Sequence, residues 1–462
     1  MGYTIRQMEA ERNFSQELSV EALHRVVPPE VISTVLADHG NPTPRVRKLT
    51  AEVTLWVLIA MNLYTHLALG HVLRKVAQGL RFIWPDASYR VPGASAFVYR
   101  RYQLGPQPVQ ALFARLARPI ATPRTPGAFA FGLRLMALDG TVEDVPDTPA
   151  NAAAFGRHHG SRGDSAFPQV QGVYLAECGT HAIVDATFGP YGTSERVGAA
   201  TLLRSITADM LVLWDRGLHE YDLLAAVRQR EAHALGRLPA HVKPEWAASL
   251  PDGSTLAYLR PSDPKRRAWG ERLLVRIIEY TITDPALVGY GAVHRLVTTL
   301  LDPRVAPARD LVCLYHERWE IELVIDETDT HQRLAGRPLR SHKPQGVLQE
   351  LYALLIAHYA LRVLMHEAAL QAGVDPDRLS FVHALRVLHE AIPEFQMVDP
   401  AERPRLYARL LQDIAAVRLP ARRLRCNPRV VKRKMSNFRL KRLEHRHWPQ
   451  PTMPFRAAVL LI

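Results

Sequence analysis

The apolar positions of this chain change rhythm twice, and each change marks a change of architecture. From Ser15 to about Pro119 they recur at helical spacing; Ser19-Val20-Glu21-Ala22 resembles a capped start, and Pro28-Pro29 breaks the run. The Pro-rich joint Pro119-Ile120-Ala121-Thr122-Pro123-Arg124-Thr125-Pro126 closes this helical stretch. Short apolar runs of strand length follow at Leu133–Leu138, Gln169–Ala176 and Ala182–Thr187, then a helical pattern near Ala199–Ala208 and the run Met210–Trp214. Glu220–His233 reads as another helix, so this stretch predicts a mixed α/β sheet. Between Ala234 and about Pro303 the punctuation thickens, with Pro239, Pro244, Pro251-Asp252-Gly253 and Pro261 separating runs such as Leu273–Thr283 and His294–Leu300, as expected of a β-rich insertion. From Ala308 helix returns, through Glu322 and Gln345–Ala369.

The resulting division is 1–125 helical, 126–233 the first part of an α/β core, 234–303 a β-rich insertion, 304–375 the second part of the core, and 376–462 a helical and basic C-terminal segment. Two long apolar runs, Val53–Leu73 and Leu351–Met365, are interrupted by Asn62, His66 and His71 and by His358 and Arg362 respectively. Buried helices are expected there, and no membrane partner.

Charge sharpens this picture. The chain carries a formal net charge of +13, and +10 of it lies between Ala421 and Arg446, where eleven Lys or Arg face one acid, Glu444. Such density suits an anionic partner, with Arg422, Arg423, Lys432, Arg433 and Lys434 as candidate phosphate contacts. Arg45, Arg47, Lys48, Arg100 and Arg101 are scattered bases on the helical N-terminal part that also suit DNA. Three cysteines, Cys178, Cys313 and Cys426, exclude a disulfide framework and a cysteine zinc site, and fit a reducing compartment. The first residues lack the apolar core of a secretory signal.

The chemistry concentrates in three acidic signatures: Leu138-Asp139-Gly140-Thr141, Trp214-Asp215-Arg216-Gly217 and Tyr315-His316-Glu317-Arg318-Trp319-Glu320-Ile321-Glu322. Asp139 and Asp215 each end an apolar strand-like run, which would present a carboxylate from a rigid support. If Glu322 joins them, three hard oxygen donors of the kind Mg²⁺ or Mn²⁺ takes would converge. At about 100° per residue, Tyr315, Arg318, Glu322 and Asp329 share one helical face, with Arg318 placed to orient Glu322 and Tyr315 offering a hydroxyl to phosphate or water. Asp326, one turn beyond Glu322, competes as third acid.

These signatures, taken in order, resemble the DDE transposases of the insertion sequence 4 family, whose third motif is a Tyr, Arg, Glu, Lys signature. Glu322-Leu323-Val324-Ile325-Asp326-Glu327 and Leu339-Arg340-Ser341-His342-Lys343-Pro344 also look like that family. The resemblance implies a ribonuclease H-like mixed sheet core carrying a β-rich insertion, with Asp139, Asp215 and Glu322 as catalytic and metal-binding triad. It further implies two Mg²⁺ ions, with Mn²⁺ as the substitute. The implied activity is cleavage and strand transfer of double-stranded DNA at transposon ends and target, by a homodimer in a synaptic assembly in the bacterial cytoplasm at the nucleoid. Arg318 and Lys343 would touch DNA. Rival readings are a transposase-derived DNA-binding protein with impaired catalysis, and a metal-dependent nuclease that cuts without joining.

One position departs from the family. Its Lys falls at 329, here Asp, where a carboxylate would repel a DNA phosphate unless Arg333 or Lys343 compensates. Of the remaining candidates, Asp185 is buried by pattern and either supplements the site or pairs with a base. Trp269 beside Lys265, Arg266, Arg267 and Arg272 has the composition of a base-stacking patch. Arg157-His158-His159-Gly160 lacks metal-ligand spacing.

Overall fold

The structure, a computed structural model, describes residues 20–40, 49–78, 91–160, 163–333, 336–420, 430–431, 439–447 and 449–462. Helices α1 (Pro29–Asp38), α2 (Ala51–Leu63), α3 (Leu69–Val76), α4 (Ala94–Leu104) and α5 (Gln107–Leu116) come first. Then follow β1 (Leu133–Asp144), β2 (Gln169–Glu177), β3 (Ile183–Pro190), α6 (Glu195–Leu202), β4 (Met210–Trp214), α7 (Tyr221–Gln229) and β5 (His233–Arg237). Strands β6 (Glu245–Ser249), β7 (Thr255–Leu259), β8 (Leu273–Ile282) and β9 (His294–Thr298) lead to α8 (Ala308–Leu314), α9 (Trp319–Asp326), α10 (Pro344–Ala372), α11 (Phe381–Met397), α12 (Arg403–Ala415) and β10 (Val459–Leu461).

The chain forms two compact units. The first comprises Met1–Ala128, Asp139–Leu202 and Glu320–Leu419. Its axis is α10, which begins at Pro344, ends at Gly373 with φ +62°, and packs on α2, α5 and α12. Pro at the first position and a left-handed Gly at the end are the cheapest start and stop for a helix. Leu351, Leu354, Leu355 and Leu364 are fully buried along it, each contributing about 2 kcal/mol. The apolar run expected at Val53–Leu73 is broken into α2 and α3; α2 is capped by the Thr50 hydroxyl, which accepts from Val53 N at 3.1 Å. Within this unit the second half of β1 adjoins β2, and β2 pairs antiparallel with β3.

The second unit comprises Phe129–Leu138, Leu203–Trp319 and Pro420–Ile462. Here the first half of β1 pairs parallel with β4, and β4 parallel with β5. All five residues of β4 are buried, which is why it reads as a continuous apolar run and not as an alternating one. Strands β9, β8, β7 and β6 continue outward from β5, antiparallel throughout. β5 departs from the sequence pattern, which reads Glu220–His233 as helix and begins the β-rich insertion at Ala234, whereas the helix ends at Gln229 and a strand parallel to β4 begins at His233. β10 adds to β8 with Tyr280 opposite Leu461, so the chain after the basic cluster returns to an ordered strand. The mixed α/β sheet with a helical N-terminal part is the fold class the resemblance implied.

Candidate active site

In the second unit, the last register pair between β1 and β4 is Leu138 with Trp214. In sequence an aspartate follows each of these two residues: Asp139 on β1, in the first unit, and Asp215 just past the end of β4. Asp215 opens a turn in which its Oδ1 accepts the amides of Gly217 (2.7 Å) and Leu218 (3.2 Å). These bonds orient the carboxylate through one of its two oxygens. Tyr315 is buried, and its hydroxyl donates to the Trp214 carbonyl at 3.2 Å. Burial pushes the Tyr315 phenol up to about 12; Arg318 opposes this and Asp215 adds to it. The hydroxyl is therefore occupied in holding the end of β4, in place of the phosphate or water contact expected from sequence. Arg318 is buried too, its guanidinium 4.8 Å from the Trp319 ring.

In the first unit Asp139 is not at a strand end: β1 runs on for five more residues to Asp144. Asp139 Oδ1 accepts from Gly140 N at 2.9 Å. Gly140 lies against Glu195, whose flexible carboxylate would have to swing aside for a Cβ at that position. Gln171 Nε2 faces both the Thr141 carbonyl (3.2 Å) and Glu195 Oε1 (3.5 Å). Glu195, in the first turn of α6, is an acid beside the Asp139 segment that sequence reasoning missed, because nothing in its local pattern distinguishes it from a solvated helix start. Glu322 lies on α9, half-buried, while Asp326 is exposed and pairs with His331 at 3.3 Å.

The buried side of α9 is ionic. Glu320 and Glu327 flank His181, whose Nε2 lies 2.8 Å from Glu320 and Nδ1 2.9 Å from Glu327, with Asp377 3.4 Å from Nε2. Arg362 pairs with Glu327 and touches the His181 ring, and His358 Nε2 lies 3.1 Å from Glu327. Burial and Arg362 both oppose charge on His181, yet the surrounding carboxylates outweigh them and raise it to about 9. Glu327 stays well below the usual carboxylate range despite burial, because Arg362 and His181 stabilise its charge. Among the described residues, His181, Glu320 and Asp377 have the spacing of metal ligands. Both ring nitrogens face carboxylates and Nδ1 also faces Arg362, so these groups form an ionic network among themselves.

Several expectations fail on the geometry. The helix around Glu322 is not uniform: Tyr315–Arg318 is 3₁₀, Trp319–Asp326 is α, and Glu327–Gln332 is π. A constant step per residue therefore misplaces Asp329, which lies against β1, its Oδ2 accepting from the Thr141 hydroxyl at 3.2 Å. Arg333 cannot serve as a spare phosphate contact, being paired with Glu143. Lys343, at the N-cap position of α10, stays exposed with its Nζ 5.0 Å from the Tyr102 ring, and its expected DNA contact is not decided by this placement. Arg101 is buried and hydrogen-bonded to Gln349, Ser341 and Gly346, which removes it from any DNA surface. Arg45, Arg47, Lys48, Arg422, Arg423, Lys432, Arg433 and Lys434 lie outside the described residues. Asp185 is buried, its Oδ1 accepting from Ala186 N at 2.8 Å. Trp269 is exposed, but Arg266 beside it is tied to Glu271 and Asp222, and Arg272 stacks on Tyr258.

The insertion element 4 transposase N-terminal family model matches residues 17–114, and the transposase DDE domain model matches residues 130–360. Transposase InsG for insertion sequence element IS4, from Escherichia coli (strain K12), is 31% identical over 433 residues, 92% of this chain and 92% of that protein. The chain belongs to the insertion sequence 4 family of DDE transposases. Putative transposase InsZ, from Escherichia coli (strain K12), is 27% identical over 215 residues, 46% of this chain and 69% of that protein. A cryo-EM structure of a piggyBac transposase synaptic complex with hairpin DNA matches over 87% of each chain at 11% identity, with a TM-score of 0.42. The transposase is thus a polynucleotidyl transferase that acts on DNA and depends on a divalent metal. Three half-buried carboxylates, Asp139, Asp215 and Glu322, fit such a metal by donor chemistry.

Proposed function

We propose that the transposase cleaves DNA at its element's ends and joins the freed 3′ ends to a target, with Asp139, Asp215 and Glu322 as the catalytic triad. The observation that carries this reading is the register of β1 and β4: two aspartates follow directly on paired positions of adjacent parallel strands. Asp139 and Asp215 would hold one side of the metal site, and Glu322 would complete it. Two Mg²⁺ ions bound there, or Mn²⁺ in their place, would lower the pKa of a water and neutralise charge on the attacking and leaving oxygens. Tyr315 and Arg318 would act as positioning residues, Tyr315 by fixing the end of β4. Water and then a 3′-hydroxyl would be the nucleophiles, without a covalent protein intermediate. A homodimeric synaptic assembly, working at the nucleoid, completes the proposal.

The rival of impaired catalysis rested on repulsion by Asp329. That ground weakens, because Asp329, only partly exposed, is hydrogen-bonded to Thr141 of β1 and lies 4.0 Å from Arg333. The deciding assay uses duplex DNA carrying the inverted repeats that flank the gene, with a supercoiled target. Joined product supports the proposal, cut product alone would mean a nuclease, and binding without either would mean lost catalysis. Alanine at Asp139, Asp215 or Glu322 should lower cleavage at least about 10³-fold, since metal stabilisation supplies several kcal/mol, with DNA binding largely retained. Full activity in Glu322→Ala would move the third acid to Asp326.

A further inference from the structure

Asp329, partly exposed, sits at the edge of a cluster within the first unit whose other members Thr141, Glu143 and Thr328 are buried. Its Oδ2 accepts from Thr141 Oγ1 at 3.2 Å and its Oδ1 from Thr328 Oγ1 at 3.1 Å. The Glu143 carboxyl, buried on β1, shares an arginine with it. Arg333 pairs with Glu143 and stands 4.0 Å from Asp329. Tyr174 faces the pair from β2, and Glu350 and Tyr352 of α10 contribute charge at longer range.

Two carboxyl groups this close do not both ionise, and one arginine is insufficient to neutralise them. The hydrogen-bond accounting points the same way. Glu143 Oε1 is buried and faces no donor among the described residues. A proton carried by Asp329 would supply such a donor, as would the Tyr174 hydroxyl, which is also buried without a partner among the described residues. Burial and the Glu143 charge accordingly raise Asp329 to about 8, against the opposing effect of Arg333.

We propose that Asp329 is a positioning residue that works as a neutral carboxylic acid, linking Glu143 on the strand of Asp139 to the π-helical turn that follows Glu322. This rests on the reading of Asp139 and Glu322 as two members of the triad. The link joins the elements that carry both acids: Thr141 lies two residues beyond Asp139, and Asp329 seven beyond Glu322. The family's Lys at this position is thereby replaced by an uncharged donor turned inward, and the repulsion expected of a carboxylate at position 329 does not arise at neutral pH. Loss of the proton would set two anions side by side and push the turn away from β1.

The test compares the wild-type chain with Asp329→Asn, which keeps a donor and an acceptor but cannot titrate, and with Asp329→Ala, which keeps neither. Wild-type cleavage should fall above pH 8, by up to about tenfold per pH unit. The Asn variant should stay level over that range, and the Ala variant should be at least about tenfold slower at every pH. The same fall in wild type and Asn variant would overturn the proposal. A second readout needs no activity: the infrared difference between wild type and Asn variant at pH 6.5 should contain a protonated carboxyl band. Absence of that band sinks the inference, whatever the cleavage results. Unimpaired cleavage by Asp139→Ala and Glu322→Ala would instead end the triad reading and leave the band to decide the state of Asp329.

Discussion

Replacing His181 by Gln should remove a specific part of the protein's pH dependence. The imidazole is 1% exposed and lies between Glu320 and Glu327 at 2.8 and 2.9 Å. Because the folded state raises its pKa from 6.5 to about 9, it binds a proton that the unfolded chain releases. Its contribution is therefore fully present below about pH 6.5 and is lost as pH rises through about 9. At about 1.4 kcal/mol per pH unit of altered proton affinity, this amounts to about 3 kcal/mol. Urea unfolding of both proteins at pH 6.5 and 9.5 would measure it. The variant should be weaker at pH 6.5, and the gap should close by about 3 kcal/mol at pH 9.5. Asp329 also loses stability with rising pH, but it does so in both proteins and cancels in the difference. Equal pH slopes for wild type and His181→Gln would refute the imidazolium between two carboxylates.

Other consequences are as specific. Glu327→Gln leaves the Arg362 guanidinium buried without its carboxylate and should cost roughly 3–5 kcal/mol in the same unfolding assay, with recovery when Arg362→Met is added. Gly140→Ala makes the flexible Glu195 carboxylate swing aside and should cost no more than about 1 kcal/mol in stability; combining it with Glu195→Ala should remove that cost, and simple additivity would show that the contact is not responsible. Changing Arg422, Arg423, Lys432, Arg433 and Lys434 to Gln should reduce the slope of log affinity against log salt by up to about 4.5 if all five meet phosphates. Substitution is the cleaner test there, because deleting the segment to the end would also remove β10 from β8.

Much of the site was legible because it depends on local pattern. The continuous apolar runs Leu133–Leu138 and Met210–Trp214 could only be central strands, and an Asp directly after each was visible without knowing that they pair. The extension Glu245–Thr298 was legible from its turns. What stayed hidden is long-range. Glu195 gains meaning only from Gly140, 55 residues earlier in the chain, by contact with a missing side chain. The ionic network behind α9 did leave a trace: His358 and Arg362 interrupt an apolar helix four residues apart, and Glu320 and Glu327 sit seven apart on α9 and its continuation. Reading those pairs as complementary, and not as mere interruptions of two helices, would have required knowing that α9 and α10 meet.

The misplacement of Asp329 has a physical cause that bears on the site itself. A helix that passes from 3₁₀ to α to π winds progressively looser, so residues after Glu327 lag behind the phase of a regular helix. Glu327 is where the loosening begins, and it is held by Arg362, His181 and His358 together. The next turn then brings Asp329 to Thr141, and Arg333 to Glu143, on the strand that carries Asp139. π-helical turns cost backbone hydrogen-bond geometry and persist where side-chain contacts over-determine them, frequently at functional sites. Here the contacts on either side of the turn are a buried ion network and a carboxyl pair, and Glu322 lies just before both. Glu322 is thus positioned less by the regularity of its own helix than by two polar clusters that fix where that helix stops being regular.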